Sequence, residues 1–130
     1  RDAGQAVGLL RPFLFRPFPA EAFRTALTGK RGVAVIDQNL APGSGGVLHN
    51  ELAAKLYDGI GELPVLVSFI GGLGGRDIGP EEFCEMARVT LKAAEEKQSP
   101  PPRLLYTEKE WRAMKKLQAI ALHQDSEDRA

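Results

Sequence analysis

The stretch PVLVSFIGGLGGRD at residues 64–77 decides the fold of this 130-residue chain, because an apolar run passes directly into a glycine-rich turn. Pro80 and two glutamates follow, and these residue types suit the first turn of a helix. Apolar runs at residues 7–10 and 33–36 are also followed by a turn and a helical pattern. This repetition predicts a three-layer α/β fold, in which helices cover both faces of a mainly parallel sheet.

The turns after the predicted strands hold the candidate functional residues, because such turns meet at one edge of a parallel sheet. The turns lie at residues 16–19 (RPFP), 41–46 (APGSGG) and 71–77 (GGLGGRD). We expect them to form an interface or to bind an anion. The candidates are Arg16, Gly43, Ser44, Gly45, Gly46, Gly72, Gly74, Gly75, Arg76 and Asp77.

Each glycine turn has a structural and a functional interpretation. Glycines before a helix leave backbone N–H groups open to a phosphate, and Ser44 adds a hydroxyl. However, Leu48 stands where the dinucleotide pattern requires a third glycine, and the Gly-Lys-Ser/Thr ending of a P-loop is missing. We favour a tight turn at residues 43–46 and a structural or interface role at residues 71–77. Anion binding, or a contact between Arg76 and a cofactor such as coenzyme A, is the alternative.

Single side chains lead to further expectations. Arg16 is expected to form an ion pair with Asp37 across neighbouring strand ends, with substrate binding and a partner contact as alternatives. Asp77 is expected either to pair with neighbours of Arg76 or to cap the helix that begins near Pro80. Cys84 is the only cysteine, and we expect a buried, unreactive thiol. We predict no catalytic residue and no metal ligand in this chain.

Hydrophobic periodicity predicts two helices whose apolar stripes face the sheet. The stripe of the helix that begins near Gly45 or Gly46 is formed by Leu48, Leu52 and Leu56. The stripe of the helix that begins at Pro80 and continues to about Lys97 is predicted to be Phe83, Ala87, Leu91 and Ala94. An earlier helix is expected over residues 20–27, and residues 13–16 or 104–106 are candidates for an additional strand.

The C-terminal part begins with a Ser-Pro-Pro-Pro segment that predicts a stiff linker. Thr107 and Glu110 have the spacing of a capping box, so a final helix follows. One face of that helix carries Trp111, Met114, Leu117 and Ala121. It packs either on this domain or on another chain. We assign residues 1–98 to the domain, with its core at residues 7–97, and residues 99–130 to the linker and helix.

Composition narrows the classes of function. The 17 basic and 17 acidic residues balance, so no net field favours nucleic acid or an anionic membrane. No apolar run approaches the roughly 20 residues needed to span a bilayer. A single cysteine excludes an internal disulfide and suggests a reducing, cytoplasmic setting. The chain begins at Arg1 without an initiator Met, so we expect a segment of a longer polypeptide or a processed chain.

Together the three turns resemble the transketolase C-terminal-like domain of the 2-oxoacid:ferredoxin oxidoreductases, and among these the alpha chain of the pyruvate type. The similarity covers about residues 7–97. Residues 72–77 followed by Pro-Glu-Glu are its most specific part, and residues 16–19 come next. The family often has an acidic residue followed by Arg at the end of the second strand. This chain has Asp37 and Gln38 there, so a charge role is not carried over to Gln38.

The resemblance implies that the complete enzyme converts a 2-oxoacid and coenzyme A to acyl-CoA, carbon dioxide and reduced ferredoxin. It implies thiamine diphosphate, Mg²⁺ and iron–sulfur clusters in other domains, and no cofactor in this chain. The chain would then brace the thiamine-binding domains and contact other subunits. An independent anion- or nucleotide-binding module is the alternative. A transketolase or a dehydrogenase E1 component is a third interpretation, which the GLGGRD turn disfavours.

Overall fold

A three-stranded sheet lies between helices in the computed structural model, which describes residues 4, 6–57 and 61–127, with side chains as far as residue 120. Its elements in chain order are α1 (Ala20–Leu27), β1 (Gly32–Asp37), α2 (Val47–Tyr57), β2 (Val65–Ile70), a 3-10 helix (Leu73–Gly75), α3 (Pro80–Glu96), β3 (Arg103–Leu104) and α4 (Glu108–Glu127). The strand order is β1-β2-β3.

All strand pairs in this sheet are parallel, as the sequence predicts. Gly32 of β1 pairs with Val65 of β2, and the register continues to the ends of both strands. β3 pairs with the last two residues of β2. This short strand lies close to the predicted candidate at residues 104–106, whereas residues 13–16 form no strand. Because the strands are parallel, their carboxyl ends lie at one edge.

One face of the sheet packs against α1 and α2. The buried members of this cluster are Phe23, Leu27, Val35, Leu52 and Leu56, with Leu48 and Leu66 partly buried against them. The predicted stripe on α2 is therefore confirmed. Two residues of this stripe, Leu52 and Leu56, are almost completely buried.

The other face of the sheet packs against α3, but not through the predicted stripe. The side chains of Met86, Val89 and Ala93 are buried against β2, whereas Phe83 is half exposed. The predicted stripe was wrong by about one position, because Met86, Thr90 and Ala93 are buried while Ala87, Leu91 and Ala94, the next residue in each case, are only partly buried. Glu82 binds an arginine of the preceding turn, and the buried residues follow it at helical spacings of four, seven and eleven positions.

Residues 6–15 form neither helix nor strand, so the predicted first strand at residues 7–10 is wrong. Leu9 is 89% exposed and Phe13 is 92% exposed. A strand needs a neighbour that satisfies its N–H and C=O groups, and this segment pairs with no strand of the described sheet. Apolar contact with the body is clear from Phe18 onward, whose ring stacks on Phe23 with a centroid distance of 5.1 Å.

Ser68 in the middle of β2 provides a test of this packing. Its side chain is buried, and Oγ has no hydrogen-bond partner among the described residues. Leaving a buried hydroxyl unpaired costs about 1–3 kcal/mol. We therefore expect Ser68→Ala to leave the free energy of unfolding unchanged or to raise it by about 1 kcal/mol. Urea denaturation measures this difference.

Ser99→Ala is the matched control for Ser68→Ala. The Ser99 hydroxyl donates a hydrogen bond to the carbonyl of Leu66, and it joins the Pro-rich segment to β2. Its removal should lower the free energy of unfolding by about 1 kcal/mol. A loss of that size in Ser68→Ala would contradict the unpaired state of the Ser68 hydroxyl.

Candidate functional site

The loops that follow the three strands contact one another at the carboxyl edge of the sheet. The side chain of Gln38, after β1, packs against Gly72, after β2, where an added Cβ would lie 2.8 Å from Gln38 Nε2. Leu105, after β3, packs against Gly71 and donates its N–H to the carbonyl of Ile70 at 2.8 Å. The prediction that strand-end turns meet at this edge holds for the loops after β1 and β2, whereas the predicted turn at residues 16–19 follows no strand. The contact with Gly72 gives Gln38 a packing role.

The carboxylate of Asp37 binds the amino-terminal end of α2. Asp37 is only 2% exposed. Its Oδ1 accepts the N–H of Leu48 at 2.8 Å, and its Oδ2 accepts the N–H of His49 at 3.1 Å. The side-chain oxygen of Asn39 accepts the N–H of Val47 at 3.0 Å. An anion bound at the start of α2 would use these same amides. It would therefore have to displace the buried carboxylate of Asp37.

The turn at residues 43–46 is held by contacts within the fold. Gly43 and Gly45 have φ values of 77° and 86°, in the region that glycine adopts readily. Asn50 Nδ2 donates to the carbonyl and to the Oγ of Ser44, at 2.9 and 2.8 Å. Gly46 leaves room for Asp37, since an added Cβ would lie 2.0 Å from Oδ2. This geometry favours the tight-turn interpretation, while a partner contact at this turn stays a prediction.

Arg16 binds Glu51 of α2, with 3.1 Å between Nη2 and Oε2. The predicted pair with Asp37 is therefore wrong, because both oxygens of Asp37 are engaged by the amides of α2. The Arg16 guanidinium also lies over the ring of Phe15, 4.3 Å from its centroid. Because the arginine side chain is largely exposed, its ion pair adds little to stability.

The turn at residues 71–77 depends on backbone conformations that favour glycine. Gly72, Gly74 and Gly75 have φ values of 72°, 67° and 82°. Asp77, the last residue of this turn, is exposed and does not cap α3. The cap is Gly79, whose N–H is accepted by the Oε2 of Glu82 at 2.8 Å.

Arg76 joins the first turns of α3 and α4. Its Nη2 lies 2.7 Å from Glu82 Oε1, and its Nε lies 2.9 Å from Glu110 Oε1. Each glutamate is the third residue of its helix and uses its other oxygen to accept the N–H of the capping residue, Gly79 or Thr107. The predicted capping box at Thr107 and Glu110 is thus confirmed. One guanidinium orients two helix starts at the edge of the sheet.

These hydrogen bonds keep both glutamates ionised. Burial raises the pKa of Glu82, but the bonds from the Gly79 N–H and from Arg76 outweigh it and leave the pKa below its usual value. The N–H and the hydroxyl of Thr107 lower the pKa of Glu110, and Arg76 lowers it further. Two carboxylates and one guanidinium therefore leave one net negative charge in this cluster.

Sequence reasoning missed this cluster, although all of its members had been noticed separately. The signal was a pair of glutamates, each at the third position of a predicted helix, together with an arginine in the turn before one of them. The sequence did not indicate that the start of α4 lies beside the start of α3. That proximity follows from β3, which pairs with the carboxyl end of β2.

A cavity of about 190 Å³ opens at the same edge, between the turn after β2 and the segment after β3. Its lining includes Leu73, Arg76, Leu104, Leu105, Tyr106 and Glu110. Leu73, Leu104 and Tyr106 are all partly exposed at this edge. This cavity was not predicted from the sequence.

Cys84 is exposed, so the expectation of a buried thiol is wrong. The rotation of α3 that buries Met86 and Val89 directs Cys84 to solvent. In the described part of the chain, no three His, Cys, Asp or Glu side chains are grouped so as to hold a metal ion. None of the helices described there is both long and apolar enough to cross a bilayer.

Comparison with known proteins identifies the family. The family described as pyruvate:ferredoxin oxidoreductase core domain II matches residues 1–83. The chain belongs to this family. Pyruvate synthase subunit PorA of Methanothermobacter thermautotrophicus is 44% identical over 90 residues, which are 69% of this chain and 22% of that protein. Ketoisovalerate oxidoreductase subunit VorA of Pyrococcus abyssi is 35% identical over 95 residues, which are 73% of this chain and 24% of that protein.

A second pyruvate synthase subunit PorA, from Thermotoga maritima, is 40% identical over 83 residues, or 64% of this chain and 21% of that protein. The resemblance predicted from the three turns is therefore confirmed. The chain matches less than a quarter of the length of each of these relatives. The α/β fold of the chain, with helices on both faces of a parallel sheet, is the predicted one.

A substitution at Gly46 tests how closely the turn of core domain II fits the Asp37 carboxylate. In Gly46→Ala the new Cβ would lie 2.0 Å from Asp37 Oδ2, so the carboxylate must leave the amides of α2. We expect the free energy of unfolding to fall by about 2–4 kcal/mol, from overpacking and loss of the cap. Gly61→Ala is the control, because nothing lies within 4 Å of its added Cβ. Equal urea denaturation midpoints for the two variants would contradict this role of Asp37.

Acid should release α4 from the Arg76 cluster. The pKa values of Glu82 and Glu110 are lowered in the folded state, so their contribution is present above the ordinary glutamate pKa of about 4.3. It is lost as the pH falls through the lower pKa values of the folded protein. Trp111, the only tryptophan, lies on the first turn of α4 and reports this change. We expect its fluorescence emission to move to longer wavelength as the pH falls below about 4.

Glu110→Gln should already show the emission of the acid form at pH 7, because the amide cannot pair with Arg76 as a carboxylate does. Glu81→Gln is the control. It changes an exposed glutamate in the first turn of α3, and its fluorescence emission should follow that of the wild-type chain at every pH. Wild-type emission of Glu110→Gln throughout the titration would show that the cluster does not hold α4.

Proposed function

We propose that this chain is the structural, subunit-contact domain of a thiamine-diphosphate-dependent 2-oxoacid:ferredoxin oxidoreductase. Membership of the core domain II family supports this proposal, as does similarity to pyruvate synthase and ketoisovalerate oxidoreductase subunits. The complete enzyme converts a 2-oxoacid, with pyruvate as the first candidate, and coenzyme A to acyl-CoA, carbon dioxide and reduced ferredoxin.

The arrangement at the carboxyl edge of the sheet is the main structural support for the contact role. The Asp37 carboxylate is engaged by the amides of α2, and Arg76 binds carboxylates of α3 and α4 through Nη2 and Nε. The buried Nη1 of Arg76 has no partner among the described residues. Apolar side chains remain partly exposed at the same edge, including those of Leu73 and Leu104. Such an edge is suited to packing against protein.

The cofactors of the proposed enzyme belong to its other parts. Iron–sulfur clusters take cysteine thiolates as ligands, and this chain has one cysteine, so its residues do not fit a cluster. We propose that thiamine diphosphate, Mg²⁺ and the clusters are held by neighbouring domains or subunits, which are also the partners of this chain. Coenzyme A and ferredoxin are then partners of the whole complex. We propose the cytoplasm as its location.

An independent anion- or nucleotide-binding module is the competing proposal, and a thermal assay separates the two. A ligand that binds only the folded state raises its melting temperature. Since Asp37 and Asn39 engage the first amides of α2, we expect inorganic phosphate to cause no saturable rise in melting temperature. A saturable rise at millimolar phosphate would favour the anion-binding module.

The contact role is tested in the complete enzyme, expressed with its thiamine- and cluster-bearing parts. We expect omission of this domain to reduce pyruvate- and coenzyme-A-dependent viologen reduction at least tenfold, together with loss of assembly on size-exclusion chromatography. Adding the domain back should restore both. Unchanged activity after its removal would defeat the contact role, and turnover of a 2-oxoacid by the isolated chain would contradict its structural nature.

A further inference from the structure

We propose that the cavity beside Arg76 is an anchor pocket for one uncharged, apolar side chain, presented by a loop of a neighbouring domain of the same oxidoreductase. The inference rests on the proposed function and adds the place and the chemistry of one contact. Three properties of the cavity carry it: its size, its apolar rim and the state of its charged groups.

The size of the cavity suits a single side chain. Its volume is about 190 Å³. Sites for small molecules and cofactors usually measure about 300–1,000 Å³. A water molecule occupies about 30 Å³ in the liquid, so the space equals that of several waters. A leucine- or phenylalanine-sized group fits this volume, whereas a coenzyme does not.

The rim of the cavity resembles the centre of a protein interface. Leu73, Leu104 and Tyr106 line it and are partly exposed. Trp111 lies beside Tyr106, with 6.4 Å between the ring centroids, and is also partly exposed. Tyrosine and tryptophan are enriched where interfaces bury an anchor residue in a pocket. Exposed apolar residues are ordinary when they occur singly, but here three of them line one cavity and a fourth lies beside Tyr106.

The charged groups of the wall favour an uncharged occupant. Arg76 binds Glu82 through Nη2 and Glu110 through Nε, whereas its buried Nη1 has no hydrogen-bond partner among the described residues. The two carboxylates outnumber the guanidinium, so the cluster as a whole repels a carboxylate or a phosphate. An uncharged loop avoids this repulsion. Its backbone carbonyls can accept a hydrogen bond from Nη1, and an aliphatic or aromatic side chain buries the apolar rim.

The size of the relatives indicates where such a loop comes from. The matched part is 22% of the pyruvate synthase subunit and 24% of the ketoisovalerate oxidoreductase subunit. In a protein of that kind, most of the chain lies outside this domain and provides surfaces that pack against it. The edge with the cavity combines an open pocket with an apolar rim, so we assign the contact to it.

Leu73→Glu in the complete enzyme tests the pocket, because it places a second negative charge at the apolar rim. We expect binding of the domain to the remaining parts to weaken at least tenfold in a pull-down or by size-exclusion chromatography. Leu63→Glu is the matched control. Leu63 is 46% exposed against 43% for Leu73, and it precedes β2 at the opposite edge of the sheet. It should change binding by less than twofold, and circular dichroism verifies that both variants fold.

A second measurement needs no variant. Incorporation of 5-fluorotryptophan gives the domain one fluorine resonance, from Trp111, and we expect this resonance to shift when the unlabelled remaining parts are added. Binding of the wild type without such a shift, equal binding of Leu73→Glu, or equal losses in Leu73→Glu and Leu63→Glu would overturn the pocket and leave the contact role standing. Absence of any binding by the wild type would overturn both.

Discussion

The double ion pair of Arg76 is the interaction on which the functional edge of this domain depends. It fixes the glycine turn after β2 to the starts of α3 and α4. The bond to Glu82 holds the first turn of α3, the helix that buries Met86 and Val89 against the sheet and exposes Cys84. The bond to Glu110 joins the start of α4 to the same turn, and Arg76 and Glu110 both line the cavity. One guanidinium thus connects sheet, helices and surface.

Asp37 performs a comparable task at the neighbouring strand end. Its carboxylate replaces the anion that a glycine turn before a helix would otherwise suit, because it binds the amides of Leu48 and His49. Asp37 and Arg76 thus direct most of their hydrogen bonds into the fold, and only the buried Nη1 of Arg76 is without a partner among the described residues. An apolar rim around a small cavity remains exposed, and the contact role proposed above rests on it.

The sequence predicted the elements well and their long-range contacts poorly. Strands β1 and β2, the stripe on α2 and the capping box of α4 follow from local patterns of apolar and capping residues. The wrong predictions concerned residues 7–10, the rotation of α3 and the partner of Arg16. Each depends on contacts between residues far apart in the sequence, which the spacing of residue types along the chain does not reveal. The ion pair between Arg16 and Glu51 is one example. The same holds for Arg24, which donates to the carbonyl of Lys55 across two helices.

Hydrogen–deuterium exchange of this domain, free and within the assembled oxidoreductase, measures most directly whether its carboxyl edge is a contact surface. We predict that amides of the turn at residues 71–76 and of residues 104–106 become protected on assembly, because a neighbouring domain covers this edge. Assembly that leaves exchange at both segments unchanged would contradict this prediction.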